Sequence, residues 1–287
     1  DISVTKVWED NNNKADVRPV SIQVQLYAGE TSQGDPVELN ETNGWKYTWA
    51  NLDKYAAGEQ VDYRVDEVGE TDGYLKSVAS NEDKTEYVIT NTITSVKITK
   101  VDISDAHELE GAHLQILDSN GTVVAEWDSA KEAHEVTGLK TGELYTLREP
   151  VAPDGYTITT DTTFELDEHG KLKKDKTTTN TKDGVLLVED ARTVEVSKVD
   201  LGTGEELDGA HIQVLDKAGN VVDEWDSKKG ETQKVKNLKV GQEYTLRETV
   251  APNGYTLTTD TTFTIDRTGK VTGTVTINKD GVLLVED

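Results

Sequence analysis

Nine side chains in this sequence have the types and the placement to react with one another. In a β-strand, residues two apart point to the same face. In three segments a lysine falls among apolar residues on such a face: Ile2, Val4, Lys6 and Trp8; Val96, Ile98 and Lys100; Val194, Val196 and Lys198. Three more segments do the same with a glutamate: Tyr63, Val65 and Glu67; Tyr145, Leu147 and Glu149; Tyr244, Leu246 and Glu248. A third series ends on Asn or Asp: Tyr87, Ile89 and Asn91; Leu186, Val188 and Asp190; Leu283, Val285 and Asp287. An unpaired buried charge costs several kcal/mol, so the members of each set are expected to meet. The bland outcome is a buried ion pair, or strand ends at which each group reaches water. The chemical outcome follows from desolvation. An amine held in an apolar core gives up its proton easily and becomes a nucleophile. A buried carboxylic acid keeps its proton, polarises the neighbouring Asn or Asp carbonyl and shuttles protons. Attack of the lysine Nζ on that carbonyl expels ammonia or water and leaves an amide between side chains, with folding supplying the proximity. Three recurrences of all three members favour the chemical outcome.

The elements that must position these groups read as β-structure throughout. A long internal repeat covers the second two-thirds of the chain. GAHLQILDSNGTVVAEWDS from Gly111 returns from Gly209 as GAHIQVLDKAGNVVDEWDS, 98 positions later. YTLREPVAPDGYTITTDTTF from Tyr145 returns as YTLRETVAPNGYTLTTDTTF from Tyr244, and KDGVLLVED from Lys182 returns from Lys279. Such a period is a whole domain. Val, Thr, Ile and Tyr alternate with polar residues, punctuated by the turn signals DSNG, DKAGN, APDGY, APNGY and KDG. Only the stretch Ser129–His134 carries a trace of helical periodicity. The fold class expected is all-β: three tandem Ig-like or prealbumin-like β-sandwich domains, residues 1–93, 94–191 and 192–287, in an elongated rod. Only Ala191–Thr193 lie between the last strand of the second domain and the first of the third, which favours a stiff joint. At a radius of gyration of roughly 13 Å per 100-residue domain, three in line span on the order of 100 Å.

Composition excludes several functions. Acidic residues number 55 against 30 basic ones, a formal net charge of −25, and such a polyanion repels nucleic acid and anionic lipid. No apolar run is long enough to cross a bilayer. Cys and Met are both absent, which removes disulfides, thiolate chemistry and thiolate-bound zinc. With no signal peptide, transit peptide or C-terminal anchor, the sequence reads as an internal fragment of something longer. No cofactor or metal is expected, and the fragment is expected to be a monomer.

Residues 1–93 resemble a CnaB-type domain of Gram-positive surface-adhesin stalks, through VTKVWED at Val4–Asp10, GWKYTWANLDKY at Gly44–Tyr55, YRVDE at Tyr63–Glu67 and ITNT at Ile89–Thr92. Residues 94–287 resemble two SpaA-like, prealbumin-like pilin domains. The carriers are KVD at Lys100 and Lys198, the L-x-G-A turns at Leu109–Ala112 and Leu207–Ala210, the final strand VLLVED, and the pilin E-box pattern in YTLREPVAPDGY and YTLRETVAPNGY. The resemblance implies spontaneous intramolecular isopeptide bonds between first and last strands. Carried over by position, they are Lys6–Asn91 with Glu67, Lys100–Asp190 with Glu149, and Lys198–Asp287 with Glu248, each glutamate acting as proton shuttle. Asn180 and Asn278 are rival acceptors. Asn278 ranks second because Val275 and Ile277 take the inward parity, and fraying at Asp287 would leave the third bond incomplete. The implied place is the wall-anchored, extracellular surface of a Gram-positive bacterium, with neighbouring domains and host matrix as partners.

Other readings carry less weight. Trp45, Tyr47 and Trp49 share a strand face and could form a sugar platform, though core packing is the simpler role. Asp-rich turns such as the one at Asp118 lack the rest of a calcium loop. The five histidines show no metal spacing, and His113 and His211 fall on the polar parity. Nothing resembles a Ser–His–Asp set or a phosphate loop, so no turnover enzyme is expected beyond a single self-consuming reaction. The absence of a YPK-type motif or sorting signal favours a stalk over a sortase-polymerised shaft, with a host-ligand-binding module as the alternative.

Overall fold

The computed structural model describes all 287 residues. Three hydrophobic cores form along the chain, drawn from residues 2–89, 96–188 and 194–285. Each is enclosed by two sheets. In the first unit, one sheet runs Lys46–Trp49, Ile2–Glu9, Glu86–Ile93, Tyr74–Ser80; the other holds Thr31–Ser32, Ser21–Ala28 and Val37–Asn40, with Tyr63–Glu67 also paired to Ser21–Ala28. The second unit repeats the plan with His134–Thr137, Ser95–Asp102, Val185–Asp190 and Asn180–Lys182 against Val123–Asp128, His113–Leu117, Leu144–Val151 and Thr162–Glu165. The third does so with Gln233–Leu238, Arg192–Val199, Leu283–Glu286 and Thr276–Ile277 against a sheet centred on His211–Leu215 and Glu243–Val250. No helix is long and apolar enough to cross a membrane.

First and last strands of each unit are parallel neighbours. A parallel pair needs a long crossover, and here the crossover is the rest of the domain. The alternation read from the sequence holds on these strands: Ile2, Val4 and Lys6 are buried while Ser3, Thr5 and Val7 are not.

Two expectations are corrected. Ser129–His134 contains no helix; the only helical turns are short 3-10 segments at Glu41–Asn43 and Lys174–Lys176. Six residues cannot nucleate an isolated helix, and Trp127 stacking on His134 closes the stretch as a connection between strands. Ile277 is 39% exposed although Val275 is buried, because the two-residue strand Thr276–Ile277 lies at the sheet edge.

The joints are tighter than the sequence suggested. One residue, Thr94, separates strands Glu86–Ile93 and Ser95–Asp102, and one, Ala191, separates Val185–Asp190 from Arg192–Val199. At the first joint the buried Thr94 hydroxyl donates to Leu139 O (2.6 Å), and Gly73 lies so close to Gly138 that an added Cβ would sit 2.5 Å from its carbonyl oxygen. At the second, the Arg192 guanidinium stacks 4.0 Å over Tyr156, lies against Gly155 and Gly269, and donates to Arg267 O. Thr157 N–H donates to Ala191 O (2.9 Å), Thr193 N–H to Gly155 O (3.0 Å) and Val240 N–H to Ser104 Oγ (2.8 Å).

Candidate functional site: three buried Lys–Glu–Asn/Asp clusters

The lysine comes from the first strand, the acceptor from the last strand beside it, and the glutamate from the facing sheet. Register makes the three clusters alike. Lys6 is paired with Ile89, Lys100 with Val188 and Lys198 with Val285, and in each case the Asn or Asp stands two residues further on. Two residues along a strand returns to the same face, so lysine and acceptor lean toward one another across adjacent strands while the glutamate reaches over from the opposite sheet.

In the first domain Lys6 Nζ is 2.9 Å from Glu67 Oε2, with the lysine side chain fully buried. Asn91 Nδ2 donates to Glu67 Oε1 (3.2 Å), which leaves the Asn91 carbonyl oxygen buried without a hydrogen-bond partner. Trp8 packs against the ammonium, 4.5 Å from Nζ to the ring centroid. Burial brings the Lys6 amine down to about 8, against the opposing pull of Glu67.

In the second domain Lys100 Nζ is 2.8 Å from Glu149 Oε1 and contacts Asp190 Oδ1, all three side chains fully buried. In the third, Lys198 Nζ is 3.1 Å from Glu248 Oε1 and 2.6 Å from Asp287 Oδ1. Both amines lie within ion-pair distance of two carboxyls, yet neither points along a hydrogen-bond direction toward them. Burial pushes the Asp190 carboxyl well above the usual carboxylate range, and Lys100 only partly offsets it. A buried amine held against a carboxyl whose protonated form burial favours is placed for an amide to condense. The Asp287 backbone is hydrogen-bonded to the first strand and the turn after it: its N–H donates to Val199 O (3.1 Å) and its carbonyl accepts from Leu201 N–H (2.7 Å).

The rival acceptors lie outside these clusters. Asn180 is exposed and donates to Glu189. Asn278 closes a hairpin, its side-chain oxygen accepting from Asp280 and Val282 N–H. Asp118 likewise closes a turn, accepting from Asn120 and Thr122 N–H (2.9 and 2.8 Å). Trp45 and Trp49 pack on the first core while Tyr47 is 40% exposed, so the three do not form a platform. His113 and His211 lie at the surface, bridging to Asp128 and Asp226. One grouping escaped a search by histidine spacing: Asp102, Asp105 and His107 come within 4.8 Å of one another. There Asp105 is already engaged by Arg267 Nε (2.6 Å) and by the His107 ring.

Sequence reasoning also missed the groups that hold the glutamates. Thr71 Oγ1 donates to Glu67 Oε1 (2.5 Å), and the backbone N–H groups of Thr159 and Thr258 donate to Glu149 and Glu248 Oε2 (2.9 Å each). The available signal was the repetition of YTITTD and YTLTTD after the E-box.

Sandwich domains that set a first-strand lysine near a last-strand Asn or Asp, beneath a buried glutamate, recur three times along the chain and group it with known domain families. Models of two such families match almost the whole chain: the Cna protein B-type domain over residues 2–92, and the prealbumin-like fold domain over 94–182 and 192–280. The chain belongs to these families, as one Cna B-type domain followed by two prealbumin-like domains. A 98-residue stretch is 43% identical to a collagen adhesin of Staphylococcus aureus, covering 34% of this chain and 8% of that protein. Among solved structures, the pilus adhesin SpaC of Lactobacillus rhamnosus GG aligns over 99% of this chain and 42% of its own, at 19% identity and TM-score 0.44. Two B repeat units of the S. aureus collagen-binding protein align over 99% and 74%, at 23% identity and TM-score 0.31. The chain thus spans less than half the length of the adhesins it is similar to.

Proposed function

We propose that this chain is a stalk segment of a cell-wall-anchored surface protein of a Gram-positive bacterium, closed domain by domain by isopeptide bonds that it forms itself. The observation that carries the reading is the threefold recurrence of a fully buried lysine against a glutamate, with an Asn or Asp completing the cluster by contact with the lysine in the second and third domains and with Glu67 in the first. In the first domain the neutral Lys6 amine attacks Asn91 Cγ. An N–C bond forms, the C–Nδ2 bond breaks, and Glu67 relays the amine proton to the departing ammonia. In the other two domains Lys100 and Lys198 attack the carboxyl carbons of Asp190 and Asp287; an N–C bond forms, a C–O bond breaks, and Glu149 and Glu248 relay the amine proton to a departing water. Each reaction happens once and consumes its own site, so the chain is not a turnover enzyme. No cysteine or oxidant is needed.

Mechanics supplies the purpose. With the bonds in place, tension entering the second domain crosses from Lys100 to Asp190 and bypasses residues 101–189; residues 7–90 and 199–286 are bypassed in the same way. The one-residue joints carry that tension between domains without slack. Intact mass of the denatured protein tests the reading: a deficit of one ammonia and two waters is expected, and a mass equal to the bare sequence overturns it.

A host-ligand-binding role is the second reading, favoured by the 43% identity of 98 residues to a protein named as a collagen adhesin. Saturable binding of a matrix protein by the full chain that is lost on replacing the exposed Tyr47, as Tyr47→Ala, supports it, and absence of binding by the unsubstituted chain overturns it.

A further inference from the structure

The glutamates are held by more than the core. Glu149 has one oxygen, Oε1, facing Lys100 Nζ and the other, Oε2, anchored by Thr159 N–H. That single hydrogen bond sets the plane of the carboxyl, and its donor sits on the surface loop that follows the strand's end at Val151, two residues past Glu149. At the foot of the loop Arg148, the neighbour of Glu149, grips Asp161, two residues past Thr159, with Nε at 3.0 Å and Nη2 at 2.6 Å from Oδ2. The third domain repeats the arrangement: Arg247 grips Asp260 at 3.1 and 2.7 Å, and Thr258 N–H holds Glu248. The first domain has a different loop and different residues, yet it uses the same device with the charges exchanged. Asp66, the neighbour of Glu67, pairs with Lys76 Nζ at 2.8 Å, Lys76 also reaches Glu67 O, and Thr71 holds the glutamate from the loop between them.

We infer that the pairs Arg148–Asp161, Arg247–Asp260 and Asp66–Lys76 are positioning pairs for the amide-forming reaction: each pins the loop whose donor aims the proton-relaying glutamate at its lysine. None of these residues touches the reacting atoms. The inference rests on the self-crosslinking reading above and adds a control on its rate. The exchanged charges in the first domain matter, because there a single Lys–Asp contact of the opposite polarity spans the loop that carries Thr71.

The test uses the full chain and lets one domain serve as the control for the other. Chains made by cell-free synthesis are quenched in acidic denaturant at successive times, digested, and the Lys100–Asp190 and Lys198–Asp287 linked peptides quantified by mass spectrometry. Arg148→Asp is expected to slow the second-domain link by about two- to five-fold, the scale of an exposed bidentate pair, with the third-domain link unchanged. Combining Arg148→Asp with Asp161→Arg is expected to restore the rate, as the first domain's polarity implies. Arg247→Asp is the mirror variant, moving only the third-domain link, and serves if the second domain of Arg148→Asp fails to fold. An unchanged second-domain rate in a folded Arg148→Asp chain overturns the inference, as does a double variant that folds but stays slow. If the wild-type chain forms no link in either domain, the self-crosslinking reading itself falls and takes the positioning role with it.

Discussion

Replacing Glu149 by Ala separates a cross-linked stalk from a merely well-packed one. The variant keeps Lys100 in contact with Asp190, so the buried charge retains a partner; what it removes is the proton relay. The second domain is then expected to fold without its amide, leaving the chain one water heavier than the substitution alone predicts. Treated as a covalent loop closure between positions 100 and 190, the missing link is worth ~4.6 kcal/mol in the chain-entropy model. The lost Lys100–Glu149 contact adds about 1.5–3 kcal/mol, so the link is the larger part. At 4–8 °C per kcal/mol for a domain of this size, the link alone lowers the second domain's melting temperature by about 20–35 °C. Force makes the contrast sharper. Pulled from its two ends, the wild-type chain is expected to show no unfolding step, because the covalent path bypasses each domain's interior. Glu149→Ala releases roughly 90 residues at about 3.5 Å each, a single step of about 300 Å. A wild-type trace with three such steps refutes the reasoning, and so does a Glu149→Ala chain that lacks both the extra water and the step. Asp190→Ala should reproduce the step, and combining it with Glu149→Ala should leave the step length unchanged, since the link can be lost only once; stability falls further in the double variant, because Lys100 then has neither of its carboxyl partners.

Three further outcomes are expected. Asp190→Asn should still condense, now losing ammonia, and because the amide product is the same, its mass should coincide with that of the cross-linked wild type; a variant lighter by only the Asp-to-Asn difference shows that Asp190 is not the acceptor. In Asn91→Ala, where Lys6 cannot react, the amine's ordinary value of 10.5 is lowered to about 8 by burial, so above pH 8 the unfolded chain holds more protons than the folded one. Stability of the first domain should therefore rise between pH 8 and 9.5, before tyrosine ionisation intervenes, and a flat or falling denaturation midpoint over that window contradicts the assignment. Arg192→Ala should loosen the second joint while leaving all three cross-links intact, read as faster amide exchange at Thr157 and Thr193, whose N–H groups donate across the joint; unchanged exchange would mean that the backbone bonds alone hold it.

Strand parity was the reliable guide at the site. It put Lys6, Glu67 and Asn91 and their counterparts inward because burial on a half-exposed strand obeys a period of two whatever the strand's neighbours are. The same rule failed at Ile277, where a two-residue edge strand has no sheet beyond it to cover the inward face. Spacing within the histidines did not suggest the proximity of Asp102, Asp105 and His107, because a turn after the first strand folds those three back on themselves.

The domain count implied by the repeat, the β-character of the segments and the inward face of each reactive side chain were legible in the residues alone, since these depend on local alternation and turn chemistry. That first and last strands lie side by side in parallel, that the acceptor stands two residues beyond the lysine's partner, and that loop threonines hold the glutamates came from the folded arrangement alone. Those are contacts between residues about 4 to 90 positions apart. Their geometry is set by sheet register and by the packing of one sheet on another, which no single strand's pattern records.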